Sequence, residues 1–276
     1  MREITKEELK EAKIYFGHRT FKWHPKFKPF IYKKQFGIHF IDLDKTKEYL
    51  EKAMQTVNKI GREGKKIMWV GTKKQAAPII KEWAEKCGCN YVNFRWLAGI
   101  LTNFSTISQR LDQMQKLEEM LSEENIGKDQ FHTKKEKLIL KRELEKLHKN
   151  LLGLKGLKKL PELIFVVDVG KEYLAVQEAK KMNIPLMAIV DTNINPNLVD
   201  HVIPANDDSI KSIEFILKNI AEAYIEGRDG FEKKASDYNA ANEAITGAAA
   251  DDSRYSEEPA GEEQDKDIEE DSEEED

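Results

Sequence analysis

Apolar runs bounded by turn residues define the central part of the chain. Ile67–Val70, Leu163–Asp168 and Pro185–Asp191 are continuous rather than alternating, and a shorter run covers His201–Pro204. The stretches between them carry apolar residues at helical spacing. Continuous apolar strands that alternate with helices are typical of a parallel sheet with both faces covered. The pattern therefore predicts an α/β domain.

Glycines and the fading of the apolar pattern set the expected helix ends. A helix that begins at Asp44 is expected to end at Gly61 and Gly64, and the last core helix is expected to end at Gly227. From residue 229 onward the chain becomes rich in alanine and then in acidic residues. Such a composition cannot bury enough apolar surface to fold, so this end of the chain is predicted to be disordered.

Between residues 102 and 159 the apolar stripe becomes narrow and the outer faces become highly charged. Residues 133–159 contain ten Lys/Arg against three Glu. The apolar positions step by threes, fours and a seven through Ile107, Leu111, Met114 and Leu121, and by fours and threes through Leu140, Leu144, Leu147, Leu151 and Leu154. We expect an antiparallel coiled-coil hairpin inserted in the α/β domain. Two ordinary core helices are the alternative, which the dense charge disfavours.

The segment Lys13–Lys34, called the basic-aromatic segment below, fits neither periodicity. It holds seven Lys/Arg, seven aromatic residues and no Asp or Glu, and Pro25 and Pro29 make a long helix unfavourable. Its cations could neutralise phosphates while its rings stack on bases. Alternatively, the rings pack inward and only the lysines stay in solvent. Both can hold at once, and we predict rings inward and charges outward.

Charge divides the chain into a basic body and an acidic tail. The net charge of −5 combines −13 in residues 251–276 with +8 in residues 1–250. A basic body favours a nucleic-acid partner. No membrane span and no secretory signal are expected, because no apolar run is long enough and the N-terminus is charged. The only cysteines, Cys87 and Cys89, indicate neither a disulfide scaffold nor a closed zinc set, and suit a reducing cytoplasm.

These patterns predict four regions. They are an N-terminal helix and basic-aromatic segment (1–36, with the helix over 4–16), the α/β domain (37–101 and 160–228), the hairpin (102–159) and the disordered tail (229–276).

Candidate catalytic chemistry is sparse. Asp168 and Asp191 end buried strands, where parallel sheets bind ligands, and Val70–Lys74 faintly resembles a phosphate loop. That loop lacks the required glycine spacing, and the histidines lack metal-ligand spacing. A strand-end aspartate more often caps the next turn. We therefore predict no catalytic residue, no cofactor and no metal.

Four segments carry motifs of a known family. They are Phe16–Arg19 with Trp23–Ile31; Gly37–Leu43; Val70–Ala76 with Arg95–Phe104; and Leu160–Val169 followed by Ala188–Asn193 and Val202–Asp208. Together they resemble the bacterial small-subunit ribosomal protein family that is second in the conventional numbering, over roughly residues 5–227. Ala98, Gly170 and Ala205 depart from residues common in the family, which affects local backbone shape and one cationic contact.

The resemblance implies a flavodoxin-like doubly wound sheet with a protruding coiled-coil hairpin. It also implies a non-enzymatic constituent of the cytoplasmic ribosome, on the solvent side of the small subunit between head and body. The expected partners are small-subunit ribosomal RNA and neighbouring ribosomal proteins, including the large mRNA-binding one, for which the family serves as a docking platform. No membrane and no small-molecule substrate are expected.

Cations are the candidate RNA-binding residues. The first set is Arg19, Lys22, Lys26 and Lys28 of the basic-aromatic segment, and the second is Lys134, Lys141 and Arg142 of the arm, with Arg95 at the junction. A nucleotide-using enzyme based on the strand-end aspartates is a rival hypothesis. A protein–protein adaptor that uses the hairpin is another, and it is compatible with RNA binding. We expect Trp96 and Leu97 to pack the arm onto the sheet.

The acidic tail is predicted to cover basic surface in the free protein. Truncation after Ala250 should then tighten binding to random-sequence RNA at low salt, because the competing negative charge is removed. Filter binding at 50 mM and 300 mM salt measures this effect, which should shrink at the higher concentration. Equal affinities of the full and truncated chains at low salt would refute it.

Overall fold

In the part of the chain that the structure describes, most strands and helices coincide with the stretches that contain the buried apolar residues. This computed structural model describes residues 2–121 and 134–251, with backbone alone for Lys134 and for 234–251. The strands are β1 (Phe16–Arg19), β2 (Ile31–Gln35), β3 (Ile38–Ile41), β4 (Ile67–Val70), β5 (Asn90–Val92), β6 (Leu163–Val167), β7 (Leu186–Val190) and β8 (His201–Pro204). The helices are α1 (Lys6–Glu11), α2 (Leu43–Arg62), α3 (Ala77–Lys86), α4 (Phe104–Leu121), α5 (Lys134–Leu151), α6 (Tyr173–Lys181) and α7 (Ile210–Asp251).

Five strands form a parallel sheet in the order β5-β4-β6-β7-β8. Successive side chains of a strand point to opposite faces. Trp69 and Phe165 therefore lie in one core cluster, while Met68 and Val166 lie in the cluster on the other face. Numbered along the chain, the order is 2-1-3-4-5, which is that of flavodoxin-like folds. The α/β prediction is confirmed.

A second sheet, antiparallel and in the order β1-β3-β2, forms from the N-terminal region. A 3-10 turn, Pro25–Phe30, connects β1 to β2. No residue of β1 or β2 is fully buried, so these strands lack the alternation that marks a half-buried strand. The N-terminal helix is also shorter than predicted, because Lys13, with φ of 58°, turns the chain just after α1.

Helices α2 and α7 cross where each has a glycine. A Cβ atom at Gly61 would lie 2.5 Å from the carbonyl oxygen of Tyr224, and one at Gly227 would overlap the carbonyl of Asn58. The side chain of Asn58 donates to the carbonyl of Ala223 at 2.9 Å and fixes the crossing. Both glycines therefore permit close backbone packing.

The prediction that Gly227 ends the last helix is wrong, because α7 continues to Asp251. The glycine was taken for a cap, whereas it serves the crossing with α2. Gly61 likewise lies inside the last turn of α2, while Gly64, with φ of +65°, follows the end of that helix as predicted.

The chain divides into two units between Glu232 and Lys233. The first contains both sheets, and the described part of the second is helical backbone. Helix α7 continues past residue 229 to Asp251, and the predicted start of the disordered tail at 229 stays a prediction. Residues 252–276 lie outside the described residues, and the other predicted domain boundaries stay predictions.

Two helices occupy the predicted arm. The side chain of Gln113 donates to Glu143 at 2.7 Å, and Glu118 contacts His148 at 2.7 Å. In an antiparallel pair of helices, residue numbers along one helix fall as those of the contacting residues on the other helix rise. From the first contact to the second, the residue numbers rise on both helices. Residues 122–133, which connect the helices, lie outside the described residues. The antiparallel coiled-coil hairpin therefore stays a prediction.

Alanine at either crossing glycine should destabilise the fold. We expect Gly61→Ala and Gly227→Ala each to lower the free energy of unfolding by about 1–3 kcal/mol, because the new methyl group meets backbone rather than a movable side chain. Urea denaturation measures the change. Gly230→Ala is the control, since nothing lies within 4 Å of its Cβ position and alanine favours a helix. Variants at the crossing that unfold at the wild-type urea midpoint would rule out the tight packing.

Candidate nucleic-acid interface

The four cations of the first candidate set lie on the surface of the N-terminal region. Arg19 ends β1, Lys22 follows in the next turn, and Lys26 and Lys28 belong to the 3-10 turn. All four are exposed. Within the described ranges, none of them forms an ion pair with a carboxylate, so their charge is available to a phosphate-bearing partner.

Buried rings hold the 3-10 turn in place. Phe27 is fully buried and Phe30 nearly so, with ring centroids 5.2 Å apart. His24 caps the turn, because its Nδ1 accepts from the amide of Lys26 at 3.2 Å. The amide of His24 also donates to the carbonyl of Thr192, two residues after β7, at 2.8 Å. The cations of this turn are therefore carried on a fixed backbone.

The prediction that the rings point inward is only partly correct. It is confirmed for Phe27 and Phe30. It is wrong for Phe21 and Tyr32, whose side chains are 72% and 70% exposed. Phe21 lies in a turn and Tyr32 on an edge strand, where none of the described elements covers them. Trp23 is intermediate and packs against His39.

The second candidate set lies on other elements. Lys141 and Arg142 are exposed on α5, and Arg95 is exposed after β5. Lys134 begins α5, and its side chain is not described. These residues are accessible, but the structure places them on different elements from the N-terminal cations rather than in one cluster with them.

Glu178 of α6 anchors the segment that leads from Arg95 into the arm. Its carboxylate accepts from Trp96 Nε1 at 3.1 Å and from the amides of Gly99 at 2.8 Å and Leu101 at 3.1 Å. Burial alone would raise the pKa of Glu178, but these donors outweigh it and the pKa is lowered. As expected, Trp96 is buried in one cluster with Ile107 of α4 and Met68 of the sheet. Sequence reasoning missed Glu178 because it lies 82 residues away.

A cluster of charged groups lies at the end of the parallel sheet where the C-termini of its strands meet, called the carboxyl edge below. Lys73, just after β4, lies 3.3 Å from a carboxylate oxygen of Asp168, 2.9 Å from Asp207 and 2.6 Å from Asp208. His18 of β1 lies 3.0 Å from fully buried Asp191. The Nε2 atom of His18 also lies 3.5 Å from Asp208. The N-terminal sheet is thereby joined to the edge where parallel sheets bind ligands.

The cluster shifts the pKa values of its members. The carboxylate of Asp191, 3.0 Å from the ring nitrogen, raises the pKa of His18 to about 9, against the effect of burial. Burial and the neighbouring charges of Asp191 and Asp168 raise the pKa of Asp207 to about 7, although Lys73 opposes this shift. Burial lowers the pKa of Lys73, but the surrounding aspartates outweigh it and raise it overall.

This edge is poorly suited to a nucleotide. Four carboxylates would repel phosphate, and the Val70–Lys74 loop directs Lys73 into them. Next to them, Gly17 packs so closely on Thr192 that a Cβ would lie 2.5 Å from its methyl group. A divalent cation is chemically compatible, because ligand atoms of His18, Asp191 and Asp207 lie within 4.8 Å of one another. The strand-end aspartates thus come together as the enzyme hypothesis requires. Their charges, however, do not form a site that could bind the phosphates of a nucleotide.

Residues 9–227 match the model of a family described as ribosomal protein S2. The chain belongs to the ribosomal protein S2 family. It is 48% identical over 235 residues to the small ribosomal subunit protein uS2 of Dictyoglomus thermophilum, covering 85% of this chain and 94% of that protein. The uS2 protein of Helicobacter pylori is 46% identical over 242 residues, covering 88% and 90%. That of Petrotoga mobilis is 45% identical over 230 residues, covering 83% and 79%.

Membership of the S2 family decides between the classes of function. The chain is a structural component of the small ribosomal subunit and not an enzyme. The resemblance inferred from the four motif segments is thereby confirmed. Among the described helices, none is both long enough and apolar enough to cross a membrane.

The raised pKa of His18 predicts that stability falls as the pH rises. The folded protein holds the proton up to pH about 9, whereas the unfolded chain releases it near 6.5. The stabilisation is therefore complete below pH 6.5 and is lost as the pH rises through about 9. It amounts to at most about 3 kcal/mol, and the partial exposure of His18 lowers that figure. Urea midpoints between pH 6 and 9.5 measure this loss.

The substitution His18→Gln should flatten that profile, and His201→Gln should leave it unchanged because His201 lies outside the cluster. A His18→Gln profile that is parallel to the wild-type one would contradict the assignment.

Proposed function

We propose that this structural protein of the small ribosomal subunit contacts ribosomal RNA through the exposed face of its basic-aromatic segment. The contacting residues are Arg19, Lys22, Lys26 and Lys28. One observation carries the proposal: exposed Lys26 and Lys28 lie on a turn that buried Phe27 and Phe30 fix to the core, and exposed Arg19 and Lys22 come shortly before it in the chain. A fixed turn loses little conformational entropy on binding, so its charges can neutralise phosphates at low cost.

The surroundings of these cations support the same partner. No acidic residue lies between Lys13 and Lys34, and residues 1–250 carry a net charge of +8. Membership of the family supplies the class of partner, because a protein of the ribosome has ribosomal RNA and other ribosomal proteins as its neighbours. The site of action is then the ribosome of the cytoplasm.

The arm and its junction provide a second basic surface. We assign Lys134, Lys141 and Arg142 of the arm, with Arg95, to further phosphate contacts. Exposure of Lys141, Arg142 and Arg95 supports this assignment.

A groove next to α1 supports the further proposal that the protein helps to dock the large mRNA-binding ribosomal protein. The rings of Tyr15, Tyr32 and Phe40 line it, together with Lys6 and Lys10. Tyr15 and Phe40 are stacked with centroids 5.9 Å apart. Asp42 and Asp44 also line the groove and Lys6 pairs with Asp44, so the cations beside the rings are Lys10 and Lys33. Rings beside cations suit a peptide segment that has aromatic and acidic side chains. This role is compatible with RNA binding, since the groove and the 3-10 turn use different residues.

Replacing Arg19, Lys22, Lys26 and Lys28 together by glutamine should weaken binding to small-subunit ribosomal RNA and make it less sensitive to salt. Each lost phosphate contact should reduce the slope of log K against log salt by about 0.7–0.9, so losing all four should reduce it by about 3–4. Affinities between 50 and 300 mM salt give the slope.

The matched control removes four other positive charges. Lys52, Lys81, Lys86 and Lys218 each pair with a glutamate four residues away, so their glutamine variant should keep the wild-type slope. An unchanged slope in the first variant, or an equal loss in both, would show that the N-terminal cations are not the phosphate contacts.

A further inference from the structure

Phe36 occupies a position that no folding requirement explains. It is 87% exposed, the largest exposure among the large hydrophobic residues described. With Gly37 it forms the two-residue turn between β2 and β3, and both residues have positive φ, 53° and 72°. This type of hairpin turn favours Asn-Gly, because a large side chain is strained at positive φ. Phe36 thus combines backbone strain with an apolar ring in water, which points to a functional role.

A second exposed ring lies at the same end of the N-terminal sheet. β1 and β2 both run antiparallel to β3, so the end of β1, the end of β2 and the start of β3 share one edge. The amide of Thr20 donates to the carbonyl of Gly37 at 2.9 Å and joins the two turns at this edge. Phe21, next to Thr20, is 72% exposed. Two turns that touch therefore present one ring each.

Cations surround these rings. Arg19 ends β1, Lys22 follows Phe21, and Lys34 precedes the Phe36 turn; all three are exposed. The ammonium group of Lys22 lies 5.9 Å from the ring centroid of Phe21. Among the residues described, none of the three cations has a carboxylate partner. The edge thus combines ring faces with uncompensated positive charge, as surfaces for single-stranded nucleic acid do.

We infer that Phe21 and Phe36 form a stacking platform for unpaired bases of ribosomal RNA. This inference rests on the proposed RNA-binding function and adds the kind of RNA recognised. Bases in a duplex are already stacked, so exposed rings on turns can only stack on bases of loops, bulges or strand ends. The neighbouring cations contact the phosphates on either side of the stacked bases.

The chemistry of the edge favours RNA over a protein partner. Apolar protein interfaces exclude charge from their centre, whereas here Lys22 lies near the Phe21 ring and Lys34 comes two residues before Phe36 in the chain. Single-stranded RNA offers both kinds of partner at once, because its bases can stack on the rings and its phosphates can pair with the cations.

The test compares the full chain with Phe36→Tyr, Phe36→Leu and Phe36→Asn. The ligands are a single-stranded RNA oligonucleotide containing 2-aminopurine, whose fluorescence reports stacking, and a duplex of the same sequence. Tyrosine keeps the ring and should bind the single strand within about two-fold of wild type. Leucine keeps the apolar character and the strained turn but has no ring face. Leucine and asparagine should each weaken single-strand binding by roughly 5- to 150-fold and abolish the 2-aminopurine signal, while duplex binding is unchanged.

Folding is checked in the same series. Asparagine tolerates positive φ, so Phe36→Asn should unfold at or above the wild-type temperature, which separates lost binding from lost structure. A leucine variant that binds the single strand like wild type overturns the stacking platform and leaves salt-sensitive RNA binding intact. A wild-type chain that binds neither RNA overturns the proposed function together with the platform.

Discussion

The carboxyl edge of the parallel sheet is the constraint on which the rest of the structure depends. Asp191 and Asp207 are buried there, and a buried carboxylate is unfavourable unless an opposite charge lies beside it. Lys73 supplies one such charge from the turn after β4, and His18 supplies the other from β1. The N-terminal region is therefore needed to complete the edge. In other parallel α/β folds this edge of the sheet binds ligands. In this protein it joins the parallel sheet to the N-terminal sheet of the same chain.

Once the N-terminal region is joined to the sheet in this way, its side chains take different roles. Phe27 and Phe30 enter the core and hold the 3-10 turn, while the cations of that turn stay in solvent. Phe21 and Phe36 cannot reach the core, because they lie in turns at the outer edge of a small sheet. A surface with fixed cations and outward rings results, which suits an RNA partner better than it suits a catalytic site.

Much of the architecture could be predicted, whereas much of the candidate site could not. Continuous apolar runs at β4, β6 and β7 are a strong local signal, and they predicted the parallel sheet. Gly227 was misread because its role depends on Asn58 in another helix, and a glycine that permits close approach resembles a helix cap in sequence. The exposure of Arg19 and Lys22 was predicted from charge. The contacts of Glu178 with the Trp96 segment were not, because they cross 82 positions.

The sequence by itself determined the class of the fold, the basic character of the body, the candidate cations and the family. Those properties depend on local periodicity, on summed charge and on short motifs, all of which are readable without coordinates. Only the tertiary structure decided which rings of the basic-aromatic segment are buried, that Lys73 and His18 neutralise the strand-end aspartates, and that Phe21 and Phe36 share one edge. Burial and charge pairing depend on residues that are distant in sequence, so no local pattern can specify them.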